Sequence, residues 1–165
     1  VSTKIKTSKG KLLDFQEYFV ELKSEPKISD VIYSESEKAD ITMEVSNALD
    51  EAHKIVIGPS NPILSIGPIL AIQNLKEKLT SSSSTYVVSP FIENKAIKGP
   101  SKKNFEDLGY KSDITGIKEF YNNIGNYYIV QSGDTDKAEN TIEKNILFKS
   151  TEDSTNLARY IVDHE

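Results

Sequence analysis

The sequence predicts an α/β fold, three layers with a mainly parallel sheet between helices, plus a β-hairpin excursion near the amino terminus. Three observations predict it. Short runs rich in β-branched and aromatic residues recur at Lys54–Ile57, Thr85–Val88 and Tyr127–Val130, as buried strands require. From residue 41 onward these runs alternate with segments whose apolar residues recur at helical spacing. Two of the runs break off into loops rich in Gly, Pro and Ser that feed a helix, the arrangement found at the carboxyl edge of an open, Rossmann-like sheet.

The 165 residues suit one domain with a real core, and 37% hydrophobic with 27% charged content is ordinary for a globular chain. A net charge of −5 argues against a general nucleic-acid-binding surface. The absence of cysteine rules out disulfides, thiolate metal sites and Cys nucleophiles. No apolar run approaches the roughly 20 residues of a spanning helix, and no signal-peptide pattern opens the chain. The expectation is therefore a cytoplasmic protein with no membrane partner.

In chain order, Val1–Thr7 alternates as a strand, Ser8-Lys9-Gly10-Lys11 makes a turn, and the stretch from Leu12 to Val20 completes a hairpin. Phe15-Gln-Glu-Tyr-Phe19 carries aromatics on both parities. That fits either a strand covered on both faces or a wall beside a planar ligand. Pro26–Ile32 reads as extended. Ile41, Val45, Ala48, Leu49 and Ala52 share one helix face, with Asp40 as the expected N-cap. The strand at 54–57 follows, with both faces expected to be buried. A helix is expected from about Ser65, its N-cap, to Leu79, with Pro68 in the first turn. After the Thr85–Val88 strand a long irregular connection ends in Gly99-Pro100-Ser101 and a helix around 102–108. Asp113 is placed to cap a helix through Phe120. Ile146–Phe148 reads as a short edge strand, and Ser150 or Thr151 caps a last helix with Glu152 and Asp153 in its first turn.

The stretch His53–Ile72 organises the rest. A strand, a tight Gly/Pro loop and a helix direct backbone N–H groups and a helix dipole at one spot, which suits a phosphate. An ordinary βα turn needs the same residues for its backbone angles alone. That two successive strands end in such loops, with Lys95 and Lys98 in the second, strengthens the phosphate reading. Elsewhere the chemistry is sparse. His53 and His164 read as solvated residues, Asp134 and Asp136 as a polar turn rather than the divalent-ion site that two carboxylates could also form, and no acid–base pair or Ser/His/Asp order presents itself.

The chain resembles the 2-phospho-L-lactate transferases, which build the deazaflavin coenzyme F-420 of methanogens, other archaea and actinobacteria. The stretches that carry the resemblance are Gly58-Pro-Ser-Asn-Pro-Ile-Leu-Ser-Ile-Gly-Pro-Ile-Leu70, Ser89-Pro-Phe-Ile92 through Lys98-Gly-Pro100, and Phe15-Gln-Glu-Tyr-Phe-Val20. Lys149-Ser-Thr-Glu-Asp153 with Leu157-Ala158 is a weaker match. It covers nearly the whole chain as a single domain, 1–165, similar to the carboxyl-terminal half to two-thirds of such an enzyme. The family's amino-terminal Gly-Gly-Thr-Gly loop, and the acids associated with its metal ion, have no counterpart in these residues. The resemblance implies that the ribityl hydroxyl of the deazariboflavin Fo attacks a lactyl- or enolpyruvyl-diphosphoguanosine, that GMP leaves, and that Mg2+ assists. It also implies that Ser60, Asn61, Ser65, Ile66 and Gly67 line the nucleotide-phosphate side. Ser89, Gly99 and Pro100 would shape the neighbouring wall, with Lys98 as counter-charge. Where the family commonly has two glycines after Ser-Pro-x-x, this chain has Glu93-Asn94. The competing readings are a related nucleotide-sugar-binding regulator and a bare scaffold. An isolated chain of this length is expected to be inactive, and a homodimer is the assembly considered.

Overall fold

The computed structural model describes residues 1–81, 84–92, 95, 96, 99–122, 124–134 and 139–164, the side chains of 95 and 96 excepted. Its centre is a four-stranded sheet of β4 (Ile55–Ile57), β5 (Thr85–Val88), β8 (Tyr127–Gln131) and β9 (Thr141–Lys144). The strands lie in that order and every pair is parallel. The predicted parallel α/β core is therefore present. A separate antiparallel sheet of β1 (Ser2–Thr7), β2 (Leu12–Asp14) and β3 (Ile28–Ser34), with β1 in the middle, forms the amino-terminal excursion. Phe91–Ile92 (β6) and Lys95–Ala96 (β7) pair as a short antiparallel ladder.

Side chains on the two faces of the central sheet go to different cores, as a period of two dictates. Ile57, Val87, Tyr128 and Val130 face the larger core. There they meet α3 (Leu75–Ser81), α4 (Ser101–Asp107), α5 (Ile114–Tyr121) and the buried residues Ile5, Leu13, Tyr18 and Ile28 of the amino-terminal segment. Tyr86, Val88 and Ile129 face the other way, onto Leu157 and Ile161 of α6 (Thr151–Asp163) and onto Ile146. Of the four central strands, β5 alone is buried at every position. β4 lies at the sheet edge with Val56 50% exposed, which corrects the expectation of a doubly covered strand. Its Ile-Val-Ile run is as apolar as a central strand, but Val56 opens onto a cavity of about 360 Å3 that it shares with Leu157, Ala158 and Ile161 of α6.

Capping chemistry sets most helix limits. Ser150 and Asp153 form a reciprocal capping box that starts α6, and Asp113 accepts the N–H groups of Thr115 and Gly116 to start α5, both as expected. Thr42, not Asp40, caps α1 (Met43–Glu51), while Asp40 instead accepts bonds from Ile41 N–H and the Asn74 amide. The continuous helix expected from Ser65 to Leu79 is broken. A π-helical turn at Pro62–Ile66 runs into the short α2 (Gly67–Leu70), and α3 begins anew at Leu75. Gln73 pairs with Asp40 and Asn74 takes a left-handed φ of 64°, so the chain cannot stay helical between them.

Two more expectations are corrected. The second hairpin strand ends at Asp14, and Glu17–Glu21 is a π-helical turn with Tyr18 fully buried. The edge strand is Thr141–Lys144 rather than 146–148, because Gln131 Oε1 captures the N–H groups of Ile146 and Leu147 at 3.0 and 3.2 Å and removes them from any ladder. His164 is also not solvated. Its ring is 2.8 Å from the Tyr86 hydroxyl and packs edge-on against Tyr86 and Tyr127. No helix among the described residues is long and apolar enough to cross a membrane.

Candidate functional site

Parallel strands deliver their carboxyl ends to one edge, and the loops after β4 and β5 meet there. They open onto a cleft of about 560 Å3, within the range of small-molecule sites. One wall is the loop wall, Pro59, Ser60, Asn61, Leu64 and Ser65. The second is the turn Gly99-Pro100 with Ser101 at the start of α4. The third is apolar. Phe15 and Phe19, one helical turn apart, stack at 5.4 Å with 14° between their rings, and Leu147 and Phe148 close the far side. The two readings of the Phe15–Phe19 aromatics are thus divided between side chains. Tyr18 belongs to the core, and the two phenylalanines form a wall.

Asn61 fixes the loop wall. Its Oδ1 accepts from the N–H groups of Ile63 and Leu64 at 3.0 and 3.1 Å, so it caps the π-helical turn that Pro62 opens. Its main-chain oxygen takes the N–H groups of Ser65 and Ile66, and Ser60 N–H turns back onto Gly58. The expectation that this loop offers a row of free backbone donors is therefore corrected. An asparagine at the cap consumes them, and Ser65, placed inside the turn, does not cap. What the loop presents to the cleft is Ser60, Ser65 and the outer side of Asn61.

The remaining expected site residues divide. Gly99, at φ 66°, and Pro100 are brought to the same cleft as Ser60, Asn61 and Ser65. Ile66 packs against the core, and Gly67 is buried where a Cβ would fall 2.0 Å from the Tyr33 hydroxyl. Ser89 is buried and bonds both the N–H and the carbonyl of Phe91 at 3.1 Å, shaping the turn after β5. None of these three lines the cleft. Lys98, like Glu93, Asn94 and Asp136, lies outside the described residues. No described lining residue carries a charge, and no group of three or more His, Asp or Glu side chains is gathered among the described residues.

Ser101, Leu147, Phe148 and the fully buried Asn104 behind the wall were missed by the sequence reading. Ser101 directly follows Gly99-Pro100, and that adjacency was the available signal. Nothing in the local run Lys102-Lys103-Asn104 marks Asn104 as buried.

The family model of 2-phospho-L-lactate transferase CofD matches residues 1–160. The chain belongs to the 2-phospho-L-lactate transferase CofD family. A 2-phospho-L-lactate transferase of Methanococcus vannielii is 37% identical over 158 residues, covering 93% of this chain and 50% of that protein. Relatives of the same name from Methanocaldococcus jannaschii and Methanospirillum hungatei are 34% and 30% identical, over 92% and 98% of this chain. The CofD-family chain thus spans about half the length of the curated relatives it matches. Among solved structures, a Bacillus halodurans protein superposes with a TM-score of 0.67 at 14% identity, over 98% of this chain and 58% of that one. A second structure, of a UPF0052 family member from the same organism, gives 0.53 at 18% identity over 82% and 41%. At these identities the likeness concerns the fold.

Proposed function

We propose that this chain forms the nucleotide- and deazaflavin-binding half of a 2-phospho-L-lactate transferase of coenzyme F-420 biosynthesis. The observation that carries the reading is the meeting of the loops at 58–65 and 99–101 with the stacked Phe15–Phe19 wall in one cleft, in a chain of this family.

In this reading the terminal ribityl hydroxyl of the deazariboflavin attacks the β-phosphorus of a lactyl- or enolpyruvyl-diphosphoguanosine. A new P–O ester forms as the hydroxyl releases its proton to solvent, the bond from that phosphorus to the bridging oxygen breaks, and GMP leaves with the electron pair. The chain's own residues bind and orient. The flat, apolar Phe15–Phe19 pair suits a planar tricyclic ring, because aromatic faces gain from offset stacking and from excluding water. Ser60, Ser65 and Ser101 bring hydroxyls to the opposite walls, where they can donate to phosphate oxygens. Holding donor and acceptor at contact converts a bimolecular step into one within a complex. The described lining residues offer no carboxylate, so by themselves they do not form a Mg2+ site. Magnesium remains in the proposal as a requirement of the complete enzyme.

The test is GMP release by the full reading frame that encodes this chain, with deazariboflavin, magnesium and the diphosphoguanosine donor. Donor-dependent GMP release that requires deazariboflavin is expected. A folded full-length protein that binds deazariboflavin but releases no GMP with either donor would point to the nucleotide-binding, non-catalytic alternative. The isolated 165-residue chain is expected to bind without turnover.

A further inference from the structure

Behind the cleft, three side chains form a closed hydrogen-bond relay that the transfer reaction does not use. Asn61 spends its Oδ1 on two backbone N–H groups, so its amide NH2 must face outward, and it donates to Asn104 Oδ1 at 3.1 Å. Asn104 is thereby obliged to present its own NH2 to the other side, where it donates to the Tyr18 hydroxyl at 2.7 Å. Tyr18 in turn donates to the carbonyl of Ser24 at 3.2 Å. Each orientation forces the next, and both Asn104 and Tyr18 have no exposure at all. A buried amide that lost either partner would leave a polar group unsatisfied, so the relay holds one arrangement.

The two ends of the relay lie at two of the three walls of the cleft, the loop wall and the aromatic wall. Asn61 is the residue that folds the loop wall. Tyr18 sits in the π-helical turn that carries Phe19, which stacks on Phe15. Asn104 belongs to α4, whose first residue, Ser101, lines the cleft between them. We infer that Asn104 is a positioning residue, which sets the spacing between the loop wall and the aromatic wall and so couples what binds at one to what binds at the other. The inference rests on the transferase reading for the ligands and on the hydrogen bonds alone for the coupling.

The test uses the full reading frame, with wild type, Asn61→Ala, Tyr18→Phe and Asn104→Leu, and the last combined with each of the other two. Ring resonances of Phe15 and Phe19 are read by NMR without ligand. Asn61→Ala, made on the other wall, is expected to shift them in the wild-type background and to leave them in place when Asn104 is Leu. Guanosine diphosphate is then titrated at a temperature where circular dichroism shows every variant folded. Tyr18→Phe, which removes only the hydroxyl that bonds Asn104 and the Ser24 carbonyl, is expected to weaken binding about three- to tenfold, equivalent to roughly 0.7–1.4 kcal/mol. In the Asn104→Leu background the same change is expected to have no further effect. A merely structural role would lower the melting temperature of all variants and leave the dissociation constants unchanged. Ring shifts that persist in the Asn104→Leu background, or effects of Tyr18→Phe that add to those of Asn104→Leu, overturn the inference. Loss of guanosine diphosphate binding in the wild type overturns the transferase reading instead, and the ring shifts then judge the coupling by themselves.

Discussion

Replacing Gly67 by alanine should unseat Tyr33 rather than disturb a ligand. The new Cβ would lie 2.0 Å from the Tyr33 hydroxyl, 2.7 Å from its Cζ and 3.1 Å from the carbonyl of Pro62. Tyr33 cannot yield cheaply, because its hydroxyl donates to the Ile63 carbonyl at 2.6 Å and so ties β3 to the π-helical turn. Burial also pushes the phenol well above its ordinary pKa, so it stays neutral and keeps its proton for that bond. Losing the bond costs about 1–2 kcal/mol, and forcing an extra methyl into a filled site about 1–3 kcal/mol. The better helix propensity of alanine returns roughly 1 kcal/mol. The net is a destabilisation of about 1–4 kcal/mol, which at about 2–4 °C per kcal/mol for a chain of this size lowers the melting temperature by roughly 2–16 °C. Urea unfolding followed by circular dichroism measures it, with guanosine diphosphate affinity measured on the folded protein. Adding Tyr33→Ala should leave a Gly67→Ala penalty far below that seen with Tyr33 present, since the ring is then gone and only the 3.1 Å approach to the Pro62 carbonyl remains. Unchanged stability combined with lost affinity would refute this reasoning and return Gly67 to the ligand.

Phe19→Ala should weaken deazariboflavin binding about two- to tenfold, the range of one aromatic contact beyond its area. Guanosine diphosphate binding should be nearly unaffected, and fluorescence titration of both ligands separates the two. Ser150→Ala removes the cap of α6 and should cost about 1 kcal/mol of unfolding free energy; no loss would mean that the capping box is not formed in solution. Lys54→Met should lower the melting temperature through fraying of α6, because the Lys54 ammonium donates to the Ile161 and Val162 carbonyls at that helix's end. Two cap carboxylates set an acid limit. Burial works against ionisation of Asp113, but bonds from Thr115 and Gly116 outweigh it, and the Lys149 and Ser150 N–H groups likewise hold Asp153 below the usual range. Both folded pKa values lie under the unfolded ones, so this contribution is present above the ordinary Asp value and is lost as pH falls through the depressed values. Carboxyl carbon titrations with midpoints at or above 3.8 would contradict it.

The parallel core was legible because its signals are local. Ile55–Ile57, Thr85–Val88 and Tyr127–Val130 are apolar runs bounded by breakers, and Asp113 and Ser150 sit where caps belong. What was not legible depended on contacts distant in sequence. Nothing near Val56 announces that β4 has a single neighbour. Nothing in Leu12–Val20 says that Tyr18 must reach an amide 86 residues away, which turns a strand-like run into a π-helical turn. The site followed the same division. Ser60, Asn61, Ser65, Gly99 and Pro100 share the cleft because βα loops at one sheet edge converge. Ile66, Gly67 and Ser89 belong to the same motifs but serve their folding. Phe148 came to the cleft only because Gln131 diverts the chain after Asn145 out of the sheet.

The most direct test of the central claim is a crossed titration of the full-length protein with guanosine diphosphate and deazariboflavin, following the Phe15 and Phe19 ring resonances and the Ser60 and Ser65 amides together. The account predicts that deazariboflavin moves the phenylalanine rings, that guanosine diphosphate moves the serine amides, and that each ligand binds in the presence of the other. Binding of both ligands with none of these four residues perturbed would place the site elsewhere and contradict the account.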